Sequence, residues 1–169
     1  MILKHIERPI KLNSVLFEIQ TKVDVDYFIN KIELKLKEKN LHSQTNVKAN
    51  MTDWHVFNDD VKLNNVIRDC LNEISKNYKL IPLYIEHSWG IKKDLGDETI
   101  THNHRGSEYS GVLYLSDKSP DLIFPEININ VSPQRSSLLL FSAFLDHVSP
   151  KSKFNESKYA IAFNLAKQP

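Results

Sequence analysis

Cysteine is nearly absent from this chain, with one residue, Cys70, in 169. A lone thiol excludes an internal disulfide and any zinc site built on paired cysteines. Its companions Val66, Ile67, Leu71 and Ile74 put it on the buried face of a helix rather than at a reactive site. Glycine is scarce too, at four residues, and no glycine-rich loop able to cradle a phosphate occurs. No serine, histidine and acidic set stands in a nucleophile-elbow context. An excess of one charge is also lacking. Lys and Arg number 22 against 21 Asp and Glu, so a net charge of +1 gives no electrostatic argument for nucleic acid or a membrane surface. Long apolar runs are missing: Leu138-Leu139-Leu140-Phe141, the most conspicuous, falls far short of the ~18 residues a membrane span needs. Met1-Ile2-Leu3-Lys4-His5 holds no signal-like apolar segment, and the expected location is cytoplasmic.

What is present divides at about residue 80. No internal repeat, low-complexity tract or linker interrupts the chain, so residues 1–169 are expected to form a single domain, with 1–79 as support and 80–165 as core. In the first part, Val15 to Ile19 reads as a strand. Asp24 or Asp26 can cap a helix to about Lys39, with Val25, Phe28, Ile29, Ile32 and Leu36 as its apolar stripe. Asn58 or Asp59 can cap a second helix, buried through Val66, Ile67, Cys70, Leu71 and Ile74. Beyond Leu80, short apolar segments alternate with turn residues. Candidate strands are Leu83 to Lys92, Thr99 to His104, Gly111 to Leu115, Leu122 to Phe124, Ile127 to Val131, Ser137 to Phe141 and Tyr159 to Leu165. Helices first and closely spaced strands after imply an α+β domain whose strands close into a jelly roll or barrel.

The chemistry concentrates on three histidines. Side chains two apart on a strand share a face, so His102 and His104 of His102-Asn103-His104 can reach one metal ion. A third imidazole from the distant His147 completes a facial triad with positions left open, the layout of a non-heme Fe(II) oxygen-activating site. The usual triad is two His and one carboxylate, and here the middle place holds His104. Glu108 and Asp146 are alternative oxygen ligands. His5, His42, His55 and His87 have no neighbouring ligand and read as ordinary surface or core residues, and Trp54 and Trp89 as packed rings. On the last strand, Lys158, Ala160, Ala162 and Asn164 share one face, and Tyr159, Ile161, Phe163 and Leu165 the other. The first face leaves room for a bound molecule beside an ammonium that needs an anion. The second is an apolar wall suited to lie under the helices.

The order Ser110-Gly111-Val112-Leu113-Tyr114-Leu115, then Leu138 to His147, then Lys158 to Asn164 resembles the 2-oxoglutarate/Fe(II)-dependent oxygenase superfamily. The likeness is greatest to a small group with an HxH...SGVxYL...H...(R/K)xxIxFN pattern. It covers Trp89 to Leu165 and does not extend into the first 80 residues. The resemblance implies a double-stranded β-helix with N-terminal helices on its outer sheet. It implies Fe(II) held by His102, His104 and His147, and oxidative decarboxylation of 2-oxoglutarate by dioxygen coupled to hydroxylation of a substrate. It further implies that Lys158, 11 residues after His147, grips the far carboxylate of 2-oxoglutarate, with Tyr114 donating a hydroxyl to the same group. Arg105 and Arg135 are the rival anion holders.

Three neutral imidazoles leave an Fe(II) site near +2, where two imidazoles and a carboxylate leave it near +1. Such a site attracts anionic cosubstrates more strongly. It also occurs in cupin-like three-His dioxygenases that do not use 2-oxoglutarate, the first alternative reading. A non-catalytic jelly-roll binding domain is the second.

Overall fold

Two antiparallel sheets face each other across a cavity, and two helices cover the outside of the larger one. The computed structural model describes residues 13–38 and 46–168, so the isolated His5 and His42 and the expected helix end at Lys39 lie outside the described residues. The first part contains β1 (Leu16–Gln20), α1 (Val25–Glu38), β2 (Val47–Lys48), β3 (Asn50–Met51) and α2 (Val61–Ser75). The second contains β4 (Leu83–Lys93), β5 (Glu98–His102), β6 (Tyr109–Tyr114), β7 (Leu122–Phe124) and β8 (Ile129–Val131). It ends with β9 (Ser137–Ser142), β10 (His147–Ser149) and β11 (Lys158–Lys167). The larger sheet runs β1-β9-β6-β11-β4-β3 and the smaller β2-β5-β10-β7-β8. This is an α+β double-stranded β-helix. Short strands from the first part extend both sheets.

The register of β11 organises the molecule. Ile161, Phe163 and Leu165 join Phe28 and Ile32 of α1 and Leu63, Ile67, Cys70 and Ile74 of α2 in one buried cluster, and Tyr159 packs against it. Ala160 and Ala162 face the opposite way, into the space between the sheets. A slip of one residue would exchange these sets and put an ammonium under the helices. The leucine run on β9 follows the same logic. Leu138 and Leu140 lie in the helix-facing cluster, while Leu139 and Phe141 lie in the inner one. A strand covered on both faces is apolar without alternation.

Two glycines permit close approach on this sheet. A Cβ at Gly90 would collide with the side chain of Ile32, so α1 sits directly on β4 there. A Cβ at Gly111 would collide with the ring of Phe163. Cys70 is buried in the helix core as expected, and burial pushes its thiol up to about 11.

Asp24 caps α1 by accepting a hydrogen bond from the Tyr27 N–H at 3.1 Å. The cap of α2 is neither Asn58 nor Asp59 but Asp60, whose side chain accepts from the Leu63 N–H at 3.0 Å. Asp60 also accepts from Lys31 Nζ at 2.6 Å and the Tyr27 hydroxyl at 2.7 Å, which ties α2 to α1. Burial raises the Asp60 pKa, but the bonds from Lys31, Tyr27 and the Leu63 amide outweigh it and leave it lowered. The tertiary partners on α1 chose among three adjacent capping residues. Further along, β8 starts at Ile129 rather than Ile127, because Pro125–Ile127 makes a 3-10 turn and Asn128 follows at φ 53°. No helix among the described residues is long and apolar enough to cross a membrane.

Candidate metal centre

His102 is the last residue of β5 and His147 the first of β10, and they are direct partners in the antiparallel ladder. That pairing sets their rings 4.3 Å apart between centroids. His104 does not belong to the strand, which ends two residues earlier than expected. It is held instead by its own N–H, which donates to the Ala143 carbonyl at 2.8 Å on the loop after β9. Its ring lies 4.9 Å from that of His102 and 5.3 Å from that of His147. One candidate ligand atom from each of the three lies within 4.8 Å of the others. The three imidazoles would together be able to hold a single divalent ion.

The chemistry of these nitrogens suits a divalent metal. His102 Nδ1 lies 2.8 Å from the Ile100 carbonyl and His147 Nδ1 lies 3.0 Å from the Leu145 carbonyl. A carbonyl only accepts, so both Nδ1 atoms carry the proton and both Nε2 atoms keep a lone pair, the arrangement in which an outer partner fixes a metal-binding tautomer. Burial, followed by the fields of the neighbouring imidazoles, pushes His104 down to about 3. Burial likewise lowers His147 to about 4 and lowers His102. Neutral imidazoles are the ligand form. Among the described residues Glu108 and Asp146 stay outside the cluster, and Asp146 instead accepts from Asn103 Nδ2 at 2.6 Å.

The three imidazoles line a cavity that also reaches Tyr114, Trp89, Ala160, Ala162 and Lys158. Lys158 is 7% exposed although it opens a strand. Its Nζ lies 3.3 Å from Glu156 Oε2 and 5.2 Å from the centre of the Phe154 ring. The Tyr114 hydroxyl and Trp89 Nε1 are buried without a hydrogen-bond partner among the described residues. Burial also raises the Tyr114 pKa, so the phenol stays protonated and able to donate. Of the rival cations, Arg105 is exposed and outside the cavity lining, while Arg135 lies 3.6 Å from Asp26 on the surface.

Two features depart from the sequence reading. Trp54 is 40% exposed rather than packed away, with its ring 4.6 Å from that of Trp89. Lys93, which no local motif marks, lines the cavity and is 8% exposed. Alternation along β4 carries the signal. Trp89, Ile91 and Lys93 point inward, whereas Gly90 meets Ile32 and Lys92 pairs with Glu33 of α1 at 2.8 Å.

No family model and no curated protein matches the chain. Solved structures do. A viral collagen prolyl hydroxylase from Paramecium bursaria Chlorella virus-1, in complex with 2-oxoglutarate, superposes with a TM-score of 0.70 at 12% identity, over 90% of this chain and 96% of that one. A Pseudomonas putida prolyl-4-hydroxylase gives 0.67 at 11% identity, over 91% of this chain and 93% of that one. HygX from Streptomyces hygroscopicus, with nickel and 2-oxoglutarate bound, gives 0.63 at 12% identity, over 90% and 83%. At such identities the likeness establishes a shared fold, and this chain folds as those enzymes do.

Proposed function

We propose that this chain is an Fe(II)- and 2-oxoglutarate-dependent oxygenase that hydroxylates its substrate, with His102, His104 and His147 as metal ligands. The observation that carries the reading is the convergence of three neutral imidazoles, one buried and two half-buried, at one cavity. Two of them have their outer nitrogens fixed by carbonyls. The enzymes sharing the fold include one in complex with 2-oxoglutarate and one with nickel and 2-oxoglutarate.

When bound, the metal and cosubstrate supply oxidative decarboxylation by dioxygen coupled to oxidation of a second substrate. The protein's own residues bind, orient and exclude water. Lys158 lies beside the Phe154 ring and, among the described residues, pairs only with the exposed Glu156 carboxylate, which leaves it available to a carboxylate entering the cavity. Tyr114, with a buried donor and no acceptor, gains a hydrogen bond from the same carboxylate. Ala160 and Ala162 supply the space. Trp89 offers a second unpaired N–H beside His104, with ring centres 6.1 Å apart.

The all-imidazole ligand set equally suits a three-His dioxygenase that does without 2-oxoglutarate. The buried cation favours the 2-oxoglutarate reading, since a metal site alone gives no reason to bury an ammonium. Anaerobic titration with Fe(II) and 2-oxoglutarate separates the two. A visible charge-transfer band that appears only when both are present supports the reading. Metal binding without any 2-oxoglutarate binding selects the three-His alternative, and absence of any divalent metal binding selects a non-catalytic role.

A further inference from the structure

Lys158 is not the only ammonium in the cavity. Its direct cross-strand partner, in the ladder between β11 and β4, is Lys93. Partners in an antiparallel pair point to the same face, and like charges placed opposite each other are destabilising. Both side chains are buried, at 7% and 8% exposure, and both line the cavity that holds the imidazoles. Lys93 Nζ reaches across to the smaller sheet and donates to Ser149 Oγ at 3.0 Å and Thr99 Oγ1 at 3.3 Å. Those two hydroxyls take two of its three protons. Lys93 forms no ion pair among the described residues, and Glu156, the one carboxylate beside Lys158, is 89% exposed in its side chain. An exposed pair of that kind contributes little. Among the described residues neither ammonium therefore has a buried carboxylate partner, and burial pushes the Lys93 ammonium down to about 8 against the fields of Asp97 and Glu98.

The position of this charge pair matches a cosubstrate. Ser149 pairs with Thr99 next to the His147–His102 pair in the ladder. At about 3.4 Å per residue the two pairs are roughly 7 Å apart along β10, comparable to the reach of a five-carbon diacid. We propose that Lys93 is a second cosubstrate-binding cation, which together with Lys158 clamps the distal carboxylate of a 2-oxo diacid and makes the cavity reject 2-oxo monoacids. The inference rests on the oxygenase reading above and extends it to a residue which that reading does not use. A carboxylate has two oxygens and about four lone-pair sites, enough to accept from both ammonium groups and the Tyr114 hydroxyl at once.

The test is calorimetric titration of the full chain loaded with Mn(II), an oxygen-inert stand-in, using 2-oxoglutarate and 2-oxobutyrate as probes. Lys93→Met keeps length and removes charge. It should weaken 2-oxoglutarate by about 10- to 150-fold, leave 2-oxobutyrate within about threefold, and leave Mn(II) affinity unchanged. Lys93→Arg should recover part of the discrimination, because it restores the charge. Equal loss for both acids, or none for either, overturns the proposal. Wild-type protein that binds Mn(II) but neither acid overturns the oxygenase reading itself, which is distinct from a Lys93→Met protein that keeps wild-type affinity and discrimination. The melting temperature of Lys93→Met without ligand checks folding. It should equal or exceed that of the wild type, since an unpaired buried charge is replaced by an apolar chain, and a fall would mean that Lys93 serves packing. Lys93→Gln, which keeps a hydrogen-bond donor to the hydroxyls, then repeats the titration.

Discussion

The two faces of β11 are built from adjacent residues and behave in opposite ways. The outer face, Tyr159, Ile161, Phe163 and Leu165, closes against two helices, and the last three are 0–1% exposed. The inner face, Lys158, Ala160, Ala162 and Asn164, is also largely withdrawn from solvent, with Ala160 half-buried, yet it presents a charge, two methyl groups and an amide to a cavity. Burial on one side contributes stability. On the other, in the proposed function, it favours binding, because a withdrawn ammonium without a strong counter-ion gains from an incoming anion. The outer face does pair its polar atoms: the Tyr159 hydroxyl donates to Glu33, and Lys92 reaches the same carboxylate. The inner face leaves the Tyr114 hydroxyl and Trp89 Nε1 unpaired.

Breaking the outer face should have the largest effect. Ile161→Ala should cost about 2–5 kcal/mol of folding stability, read from denaturant unfolding, with metal affinity of the folded protein retained. On the inner face the order reverses. His147→Ala should weaken binding of a divalent ion by more than the roughly 10- to 100-fold that loss of an outer-shell partner costs, with stability measured alongside. Unchanged metal affinity would remove the ligand assignment. Lys158→Ala should cost about 1.5–3 kcal/mol in 2-oxoglutarate binding, or roughly 10- to 150-fold, while metal affinity without cosubstrate stays constant. Equal loss of metal binding would indicate a misfolded variant.

The comparison sharpens with pH. Lys93 has its pKa lowered to about 8 by burial, opposed by Asp97 and Glu98, with Lys158 opposite and the Thr99 and Ser149 hydroxyls as its contacts. An unfolded lysine holds its proton to about 10.4, so between about 8 and 10.4 the unfolded chain binds more protons and stability without ligand rises with pH. A bound carboxylate favours the charged form, so 2-oxoglutarate affinity should move the other way, roughly tenfold weaker at about pH 9 than at pH 7. Titrations across that range, with Lys93→Met as the flat control, check the sign. The smallest effect belongs to Tyr114→Phe, at about 0.5–1.5 kcal/mol of cosubstrate binding. Its stability without ligand should not fall, because the hydroxyl removed has no partner among the described residues to lose.

Much of this was legible along the chain. Period-two alternation put Ile161 under the helices and Ala160 in the cavity, and the spacing of His102 and His104 marked them as one group. The β9 leucines read as a strand, and the structure adds that both of its faces are buried. Lys93 was legible in principle, because it lies four residues after Trp89 on the same strand face, but two adjacent lysines carry no local mark of which is buried. The cap of α2 was misplaced by one residue because Asn58, Asp59 and Asp60 all cap well in isolation. Trp54 looked like core from its size and proved half exposed.

Local composition and periodicity, which left out the short β2, β3 and β10, by themselves determined both helices, the longer strands, the two faces of β11, and the absence of disulfide and phosphate-loop chemistry. These depend only on neighbours in sequence, through the pleat, the helical turn and the turn residues. Tertiary structure decided what meets across the barrel. It alone pairs His147 with His102 across 45 residues and holds His104 in place through Ala143 rather than a strand ladder. It alone sets Lys93 opposite Lys158 across 65 residues, because antiparallel pairing brings distant segments into register through hydrogen bonds that no local pattern specifies.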